Sequence, residues 1–206
     1  MAKDALRAAP LAMRPQGRRG RWFGVVMERL NARAYRAALA HLAPARGERF
    51  LEIGFGTGRL VELLLGAADG VAVAGVDPTP TMVEVARARR GCRDAGDRLD
   101  LRECADAPLP WPDAAFDGVA ALHSFQFWPD PDATAREIHR VLRPGGRLVL
   151  VLRDHARRPP AWLPNALSRS GDEVAGALAL LARSGFAAER AAPVGSSAVI
   201  VAQRGA

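Results

Sequence analysis

Three alternating glycines, Gly54, Gly56 and Gly58, follow a short apolar segment, and the acidic residue Glu52 stands two positions before the first of them. Glycine permits the positive φ angles of a tight turn and leaves bare backbone against which a ligand can lie. A helix that begins near Gly58 would also present unpaired backbone N–H groups to that ligand. We interpret this segment as a turn that binds a small molecule; a tight strand-to-helix turn without a ligand is the alternative.

The spacing of these glycines separates the turn from two other glycine-rich motifs. A dinucleotide-binding GxGxxG motif would need a glycine at position 59 or 61, where the chain has Arg59 and Val61. A phosphate-binding Walker loop would need a Gly-Lys-Ser/Thr sequence, and none follows the turn. The remaining pattern is acid-x-Gly-x-Gly-x-Gly. An NAD-type oxidoreductase is an alternative function, which the absence of the glycine at 59 or 61 disfavours.

A second acidic residue, Asp77, ends the next apolar segment at 71–76. A carboxylate at the tip of the strand after a glycine turn can accept hydrogen bonds from both ribose hydroxyls of an adenosyl group. Such charge-assisted bonds contribute about 1.5–3 kcal/mol each. We therefore expect Asp77→Ala to weaken cofactor binding severely and to leave the fold intact. An N-cap of the following helix is the alternative role for Asp77.

The elements that must position these residues alternate between strand and helix patterns from Phe50 onward. This alternation is typical of a parallel sheet covered by helices on both faces. We predict strands at 49–53, 71–76, 98–102, 116–122, 146–152, 187–192 and 197–203, and helices at 24–42, 58–66, 80–90, 131–142 and 171–184. The proline-containing stretch 154–170 is predicted as a long connection.

Composition indicates one globular domain with a basic N-terminal segment. The chain has 206 residues, of which 49% are hydrophobic and 25% charged. Its net charge is +7, and residues 1–21 hold six basic residues against one acidic residue. We predict a basic, flexible arm at 1–22 and a single domain at 23–206. Within it we predict a capping helix at 24–43, a cofactor-binding core at 45–153, and a C-terminal helix and β-hairpin at 171–206.

Five segments in order resemble the class I S-adenosylmethionine-dependent methyltransferases, particularly the small-molecule type that includes quinone-biosynthesis C-methyltransferases. They are the glycine turn at 52–58, Val-Asp-Pro-Thr-Pro-Thr-Met at 76–82, Cys-Ala-Asp-Ala at 104–107, the strand at 116–124, and Leu-Arg-Pro-Gly-Gly-Arg-Leu at 142–148. The resemblance covers about residues 45–152. It implies a Rossmann-like, doubly wound, three-layer α/β/α fold with a seven-stranded sheet, mostly parallel with an antiparallel C-terminal strand.

The resemblance also implies S-adenosylmethionine as the cofactor and assigns residues to it. Glu52 would orient the methionine end, and Gly54 and Gly56 would let that end approach the backbone. His123 would border the cofactor and is the one candidate general base; filling a polar pocket is its alternative role. The implied cofactor residues are Glu52, Gly54, Gly56, Gly58, Asp77, Pro78, Met82, Asp106, Ala107 and His123, with Met82 packing on the adenine and Asp106 meeting its amino group.

The end of the fourth predicted strand indicates the kind of acceptor. It lacks the Pro-Pro-aromatic motif of enzymes that methylate adenine, cytosine N4 or glutamine nitrogens, and the chain has no Pro-Cys dipeptide of the cytosine-C5 enzymes. We expect a small-molecule acceptor; a nucleic-acid-directed methyltransferase and a non-catalytic adenosyl-ligand binder are the other readings. Candidate pocket residues are Met27, Asn31, Phe125 and Trp128, and core packing is the alternative for each.

Three further expectations concern the setting of the protein. No cluster of His, Asp or Cys at ligand spacing suggests a metal, and two cysteines indicate reduced thiols. No apolar run reaches the roughly 18 residues of a membrane span, so we expect a cytoplasmic location. The near-neutral body gives no reason to expect a nucleic-acid partner, and no sequence pattern indicates an oligomeric state.

Overall fold

The computed structural model describes residues 28–153 and 171–205. Predictions for the arm at 1–22, for Met27 and for the connection 154–170 lie outside the described residues. Within them, seven strands form one sheet in the order β3-β2-β1-β4-β5-β7-β6. The strands are β1 (Arg49–Ile53), β2 (Ala72–Asp77), β3 (Leu99–Glu103), β4 (Phe116–Leu122), β5 (Leu142–Arg153), β6 (Phe186–Val194) and β7 (Ser197–Arg204).

Helices follow most of the strands, as predicted. They are α1 (Ala32–Leu42), α2 (Arg59–Leu65), α3 (Pro80–Arg87), α4 (Arg90–Arg93), α5 (Pro131–Val141) and α6 (Gly171–Arg183), with 3-10 turns at Gly96–Arg98 and Phe125–Phe127. The pairing of β7 is antiparallel to both β5 and β6, while the other pairs are parallel. The predicted fold class is confirmed.

Three predicted boundaries differ from the structure for local reasons. The helix predicted at 80–90 is split, because Arg89 leaves the helical region with φ −64° and ψ 144°. The helix predicted at 24–42 is interrupted at Asn31 within the described residues, and α1 begins at Ala32. The strand predicted at 146–152 begins earlier, at Leu142, since the Pro-Gly-Gly segment continues β5.

Alternate side chains of the strands pack into two separate cores, one on each face of the sheet. Phe50 of β1 lies in the core formed with α1, α2 and α3. Its neighbours Leu51 and Ile53 lie in the other core, with α5 and α6. Successive strand residues point to opposite faces, and fully burying such a side chain contributes about 1.5–3 kcal/mol. The two cores hold the sheet as the middle of three layers.

The topological switch point of the sheet lies between β1 and β4. From β1 the chain adds β2 and β3 on one side, and from β4 it adds the remaining strands on the other side. These strands are parallel neighbours, with Glu52 registered opposite Ala120. The helix after β1 packs on one face and the helix after β4 on the other. In open α/β sheets, ligands bind at this switch point, outside the carboxyl ends of the strands. None of the helices described here is long and apolar enough to cross a membrane.

Candidate active site

The three glycines of the turn have the same backbone requirement but different surroundings. Their φ angles are +73° at Gly54, +50° at Gly56 and +75° at Gly58. A Cβ atom at Gly54 would lie 2.5 Å from the Cβ of Ser124, and one at Gly58 would lie 2.6 Å from the Cβ of Ala86. A Cβ atom at Gly56 would meet nothing within 4 Å. Gly54 and Gly58 therefore allow close packing, while Gly56 borders open space.

Asp77 joins the tip of β2 to the middle of this turn. Its Oδ2 accepts a hydrogen bond from the backbone N–H of Gly56 at 2.9 Å, and its Oδ1 accepts one from the N–H of Thr79 at 2.9 Å. Burial raises the pKa of the Asp77 carboxyl above its ordinary value. The two bonds fix the carboxylate beside the open space at Gly56. They also change our expectation for Asp77→Ala, which would leave two N–H groups unsatisfied and destabilise the fold.

Glu52 lies at the end of β1 as a buried carboxyl group. It is 2% exposed, and it accepts a hydrogen bond from the backbone of Val61. Its Oε2 atom is buried and has no hydrogen-bond partner among the described residues. Burial, followed by the nearby Asp77 carboxylate, raises the pKa of Glu52 well above its ordinary value. A cation placed here would therefore be stabilised by both carboxylates.

His123 follows β4 and occupies an unusual backbone conformation. Its φ angle is +54°, its N–H donates to the carbonyl of Val151 at 2.8 Å, and its carbonyl accepts from Nε2 of Gln126 at 2.6 Å. Both imidazole nitrogens are buried and lack a partner within the described part of the chain. Burial, and then the charge of Arg153, lower the pKa of His123 to about 4. The imidazole is thus neutral at neutral pH, with a ring nitrogen able to accept a proton.

The remaining residues assigned to ribose and adenine follow β2 and β3. Pro78 is exposed beside Asp77, while Met82 is buried in the first turn of α3. Asp106 and Ala107 follow β3 and are half-buried, and Asp106 accepts a hydrogen bond from the hydroxyl of Thr134. All four residues follow the carboxyl ends of β2 or β3. Their contacts with a cofactor stay predictions.

The candidate pocket residues have mixed surroundings. Trp128 is 7% exposed and belongs to the core beneath α5, with its ring edge-to-face with Phe125 at a centroid distance of 5.0 Å. These contacts favour packing for Trp128. Asn31 precedes α1, and its Oδ1 accepts a hydrogen bond from Arg153 at 3.0 Å. The pocket roles of Asn31, Phe125 and Trp128 stay predictions.

Arg89 forms a network of hydrogen bonds and ion pairs that no sequence pattern indicates. Its guanidinium binds the carboxylate of Glu28 with both Nη atoms, at 2.7 and 3.1 Å, and that of Glu62 through Nε at 3.0 Å. It also donates to the carbonyl of Thr57 at 3.2 Å. Arg89 therefore ties the segment before α1 to the glycine turn. Its partners lie 61 and 27 residues away in sequence, so no local pattern indicates the network.

Two further residues lie beside these groups: Tyr35, four positions after Asn31 on the same helical stripe, and Arg153, which was not among the predicted site residues. Burial, followed by the charge of Glu52, raises the pKa of the Tyr35 hydroxyl, which is hydrogen-bonded to the side chain of Asn31. Burial lowers the pKa of Arg153, and the nearby Tyr35 opposes that shift. The one available signal for Arg153 is a charged residue directly after the apolar run 148–152. No cluster of three or more metal-ligating side chains occurs in the described ranges.

The strand order, the acid-headed glycine turn and the carboxylate at the tip of β2 define a doubly wound α/β domain of the methyltransferase architecture. A family model described as "Methyltransferase domain" matches residues 51–150. A solved S-adenosylmethionine-dependent methyltransferase from Aquifex aeolicus shares the fold with a TM-score of 0.69 and 20% identity, over 85% of this chain and 92% of that one.

Curated relatives add closer sequence similarity. The chain is 44% identical over 114 residues to the 27-O-demethylrifamycin SV methyltransferase of Amycolatopsis mediterranei, covering 54% of this chain and 41% of the relative. It is 38% identical over 104 residues to the demethylmenaquinone methyltransferase of Thermus thermophilus, covering 50% and 46%. The chain thus spans less than half the length of these two relatives. Residues 51–150 thus match the methyltransferase domain family, and both of these relatives are named as methyltransferases.

Proposed function

We propose that this chain binds S-adenosylmethionine along the carboxyl edge of β1 and β2 and transfers its methyl group to a small-molecule acceptor. The observation that carries the proposal is the Asp77 carboxylate, held by two backbone N–H groups beside the open space at Gly56. When bound, the cofactor supplies an electrophilic methyl carbon on a positively charged sulfonium. The two curated relatives are named for small-molecule acceptors, which supports that part of the proposal.

Gly56, Asp77 and Glu52 would hold the adenosyl and methionine ends. A carboxylate offers about four acceptor sites, so Asp77 can keep both backbone bonds and still accept from ribose hydroxyls. Glu52 has a buried oxygen without a partner in the described ranges, which fits the ammonium group of the methionine end. On cofactor binding, Glu52 would gain an ammonium partner and Asp77 would gain hydrogen bonds from the ribose hydroxyls. Met82, Asp106 and Ala107 would contact the adenine.

His123 would act on the acceptor side. Its imidazole is neutral at neutral pH because its pKa is about 4 without an acceptor, and an acceptor oxyanion formed beside it would raise that pKa and let it take the proton. General-base assistance of this kind typically contributes about 10²–10⁴-fold in rate. The left-handed backbone at His123 costs about 1–3 kcal/mol, and such strain is commonly retained at functional sites.

Three alternatives differ in what they bind or transfer. An NAD-type oxidoreductase is disfavoured by the glycine spacing and by the family match. A nucleic-acid-directed enzyme would depend on the basic segment 1–21, which carries most of the net charge. A non-catalytic binder would take up S-adenosylmethionine without transferring its methyl group.

Labelled methyl transfer tests the proposal. The purified chain is incubated with methyl-labelled S-adenosylmethionine and a small-molecule extract, and the products are separated by chromatography. We expect label in at least one small molecule, and its loss with Asp77→Asn, which keeps the shape of the side chain. Gly96→Ala, on the surface away from the turn, is the matched control and should keep transfer. Binding without any transfer would favour the non-catalytic reading, and absence of binding would refute the cofactor assignment.

A further inference from the structure

A half-buried arginine ends the strand next to His123. Arg153 is the last residue of β5, and β5 pairs in parallel with β4. Leu122 at the end of β4 is registered opposite Val151, whose carbonyl accepts the N–H of His123. His123 and Arg153 therefore leave the sheet at the same edge, on adjacent strands. Their charges interact, since Arg153 disfavours protonation of the imidazole.

Arg153 lacks an acidic partner within the described ranges. Its hydrogen bond there is to a neutral group, the Oδ1 of Asn31 at 3.0 Å, and no described carboxylate lies within ion-pair distance of it. Arg89 is half-buried as well, but it is paired with Glu28 and Glu62. A guanidinium has five N–H donors and keeps its charge in proteins. Partly burying its charge without a counterion among the described residues is unfavourable, so an anionic group at this place would be stabilised.

Neutral polar groups complete the surroundings of Arg153. Asn31 accepts from Arg153 and is hydrogen-bonded to the Tyr35 hydroxyl, and His123 offers an unprotonated ring. We call Asn31, Tyr35, His123 and Arg153 the Arg153 cluster. It combines one fixed positive charge with a neutral base, and Glu52 lies near its Tyr35 side. This combination suits an acceptor whose acidic hydroxyl loses a proton, and it disfavours an acceptor that is itself a cation.

We propose that the Arg153 cluster binds an acceptor with an acidic hydroxyl, a phenol or an enol, with Arg153 holding the oxyanion and His123 taking the proton. This inference rests on the proposed methyl-transfer function. The O–H bond breaks and its proton passes to a ring nitrogen of His123, whose protonation becomes favourable because the new oxyanion offsets the charge of Arg153. The electron pair left on the acceptor forms the bond to the methyl carbon, while the pair of the broken carbon–sulfur bond stays on sulfur.

The position of Arg153 distinguishes the acceptor from the cofactor as the source of the anion. Glu52 and Asp77, the proposed cofactor anchors, lie on β1 and β2, whereas Arg153 lies on β5 beyond β4. The carboxylate of the methionine end is the other anion that a guanidinium here could hold. Cofactor affinity therefore separates the two sources.

Paired acceptors and two variants test the inference. Catechol and 1-naphthol are compared with o-phenylenediamine and 1-naphthylamine, using methyl-labelled S-adenosylmethionine and calorimetric titration of cofactor and phenols. Arg153→Met removes the charge and keeps an unbranched apolar side chain, while Arg153→Lys keeps the charge. Thermal unfolding checks that both variants fold.

We expect the wild-type chain to methylate the phenols and not the anilines. Arg153→Met should raise KM for the phenol about ten- to hundredfold, the range for losing one charge-assisted hydrogen bond. It should also shift the rise of kcat/KM to higher pH, because the phenol loses a group that favours its ionised form. Cofactor affinity should stay within about twofold, and Arg153→Lys should recover part of the loss.

Several outcomes would overturn the inference. If Arg153→Met weakens cofactor binding and leaves KM for phenols unchanged, Arg153 holds the cofactor carboxylate instead. Methylation of the anilines alone would also overturn it, as would a wild-type chain that binds cofactor but neither binds nor methylates the phenols. Failure of the wild-type chain to bind S-adenosylmethionine is a different result, which refutes the proposed function itself.

Discussion

Gly56 and Gly96 form a matched pair for separating a ligand-binding glycine from a merely conformational one. Their φ angles are +50° and +57°, and a Cβ atom added at either would meet nothing within 4 Å. Gly56 lies in the turn after β1, whereas Gly96 begins the 3-10 turn before β3. Alanine at either position should therefore cost about 1–2 kcal/mol in the free energy of unfolding, from the left-handed backbone alone.

Cofactor affinity should distinguish the two substitutions. The methyl group of Gly56→Ala would stand in the open space where we place S-adenosylmethionine. An extra methyl in a fitted contact costs about 1–3 kcal/mol, which corresponds to about 5- to 150-fold weaker binding. Gly96→Ala adds the same methyl group far from the turn and should leave the Kd within about twofold.

Calorimetric titration gives the affinities, and urea unfolding gives the stabilities of the same two variants. We expect similar losses of stability and a loss of affinity for Gly56→Ala alone. Unchanged affinity in Gly56→Ala, or an equal loss in both variants, would refute our placement of the cofactor against Gly56.

Three further predictions concern neighbouring residues. Glu52→Gln should make the cofactor-free protein more stable than wild type at pH values above 4.5. The raised pKa of Glu52 means that the folded wild-type chain binds more protons than the unfolded chain in this range, so wild type loses stability as pH rises and the variant does not. Urea unfolding at several pH values measures the difference. Gly58→Ala should cost about 2–5 kcal/mol of stability, from its φ of +75° and its approach to Ala86, and adding Ala86→Gly should recover the steric part. His123→Gln should lower the methyl-transfer rate about a hundredfold, a larger effect than any change in the Kd for S-adenosylmethionine, and the wild-type rate should fall as pH drops towards about 4.

Each of these predictions has a contradicting result. A pH dependence of stability that Glu52→Gln leaves unchanged would show that Glu52 is not the buried proton-binding group. Equal stability of Gly58→Ala and Gly56→Ala would show that contact with Ala86 is unimportant. Normal methyl transfer by His123→Gln would leave that imidazole without a role as base.

Local sequence patterns were sufficient to predict the strands of the sheet and the edge of the sheet at which the candidate site lies. The bounds of β1 and β4 agree with prediction, because each is a short apolar run bordered by polar or turn residues. The order of motifs placed Glu52, the glycines and Asp77 together, and the structure brings Asp77 within hydrogen-bond distance of Gly56. These contacts depend on parallel strands ending at one edge, which is a property of the fold class.

Contacts between distant segments could not be read from the sequence. The three glycines look equivalent there, and only packing against Ser124 and Ala86 separates Gly54 and Gly58 from Gly56. The bond between Arg153 and Asn31 joins residues 122 positions apart. Such pairs depend on how α1 lies against β5, and no local periodicity encodes that.

Direct titration with S-adenosylmethionine, in parallel with NADH, tests the central claim most directly. We predict saturable binding of S-adenosylmethionine, about ten- to hundredfold weaker binding to Asp77→Asn from the loss of a charge-assisted bond, and no competition by NADH. Preferential binding of NADH, or an affinity for S-adenosylmethionine that Asp77→Asn leaves unchanged, would contradict it.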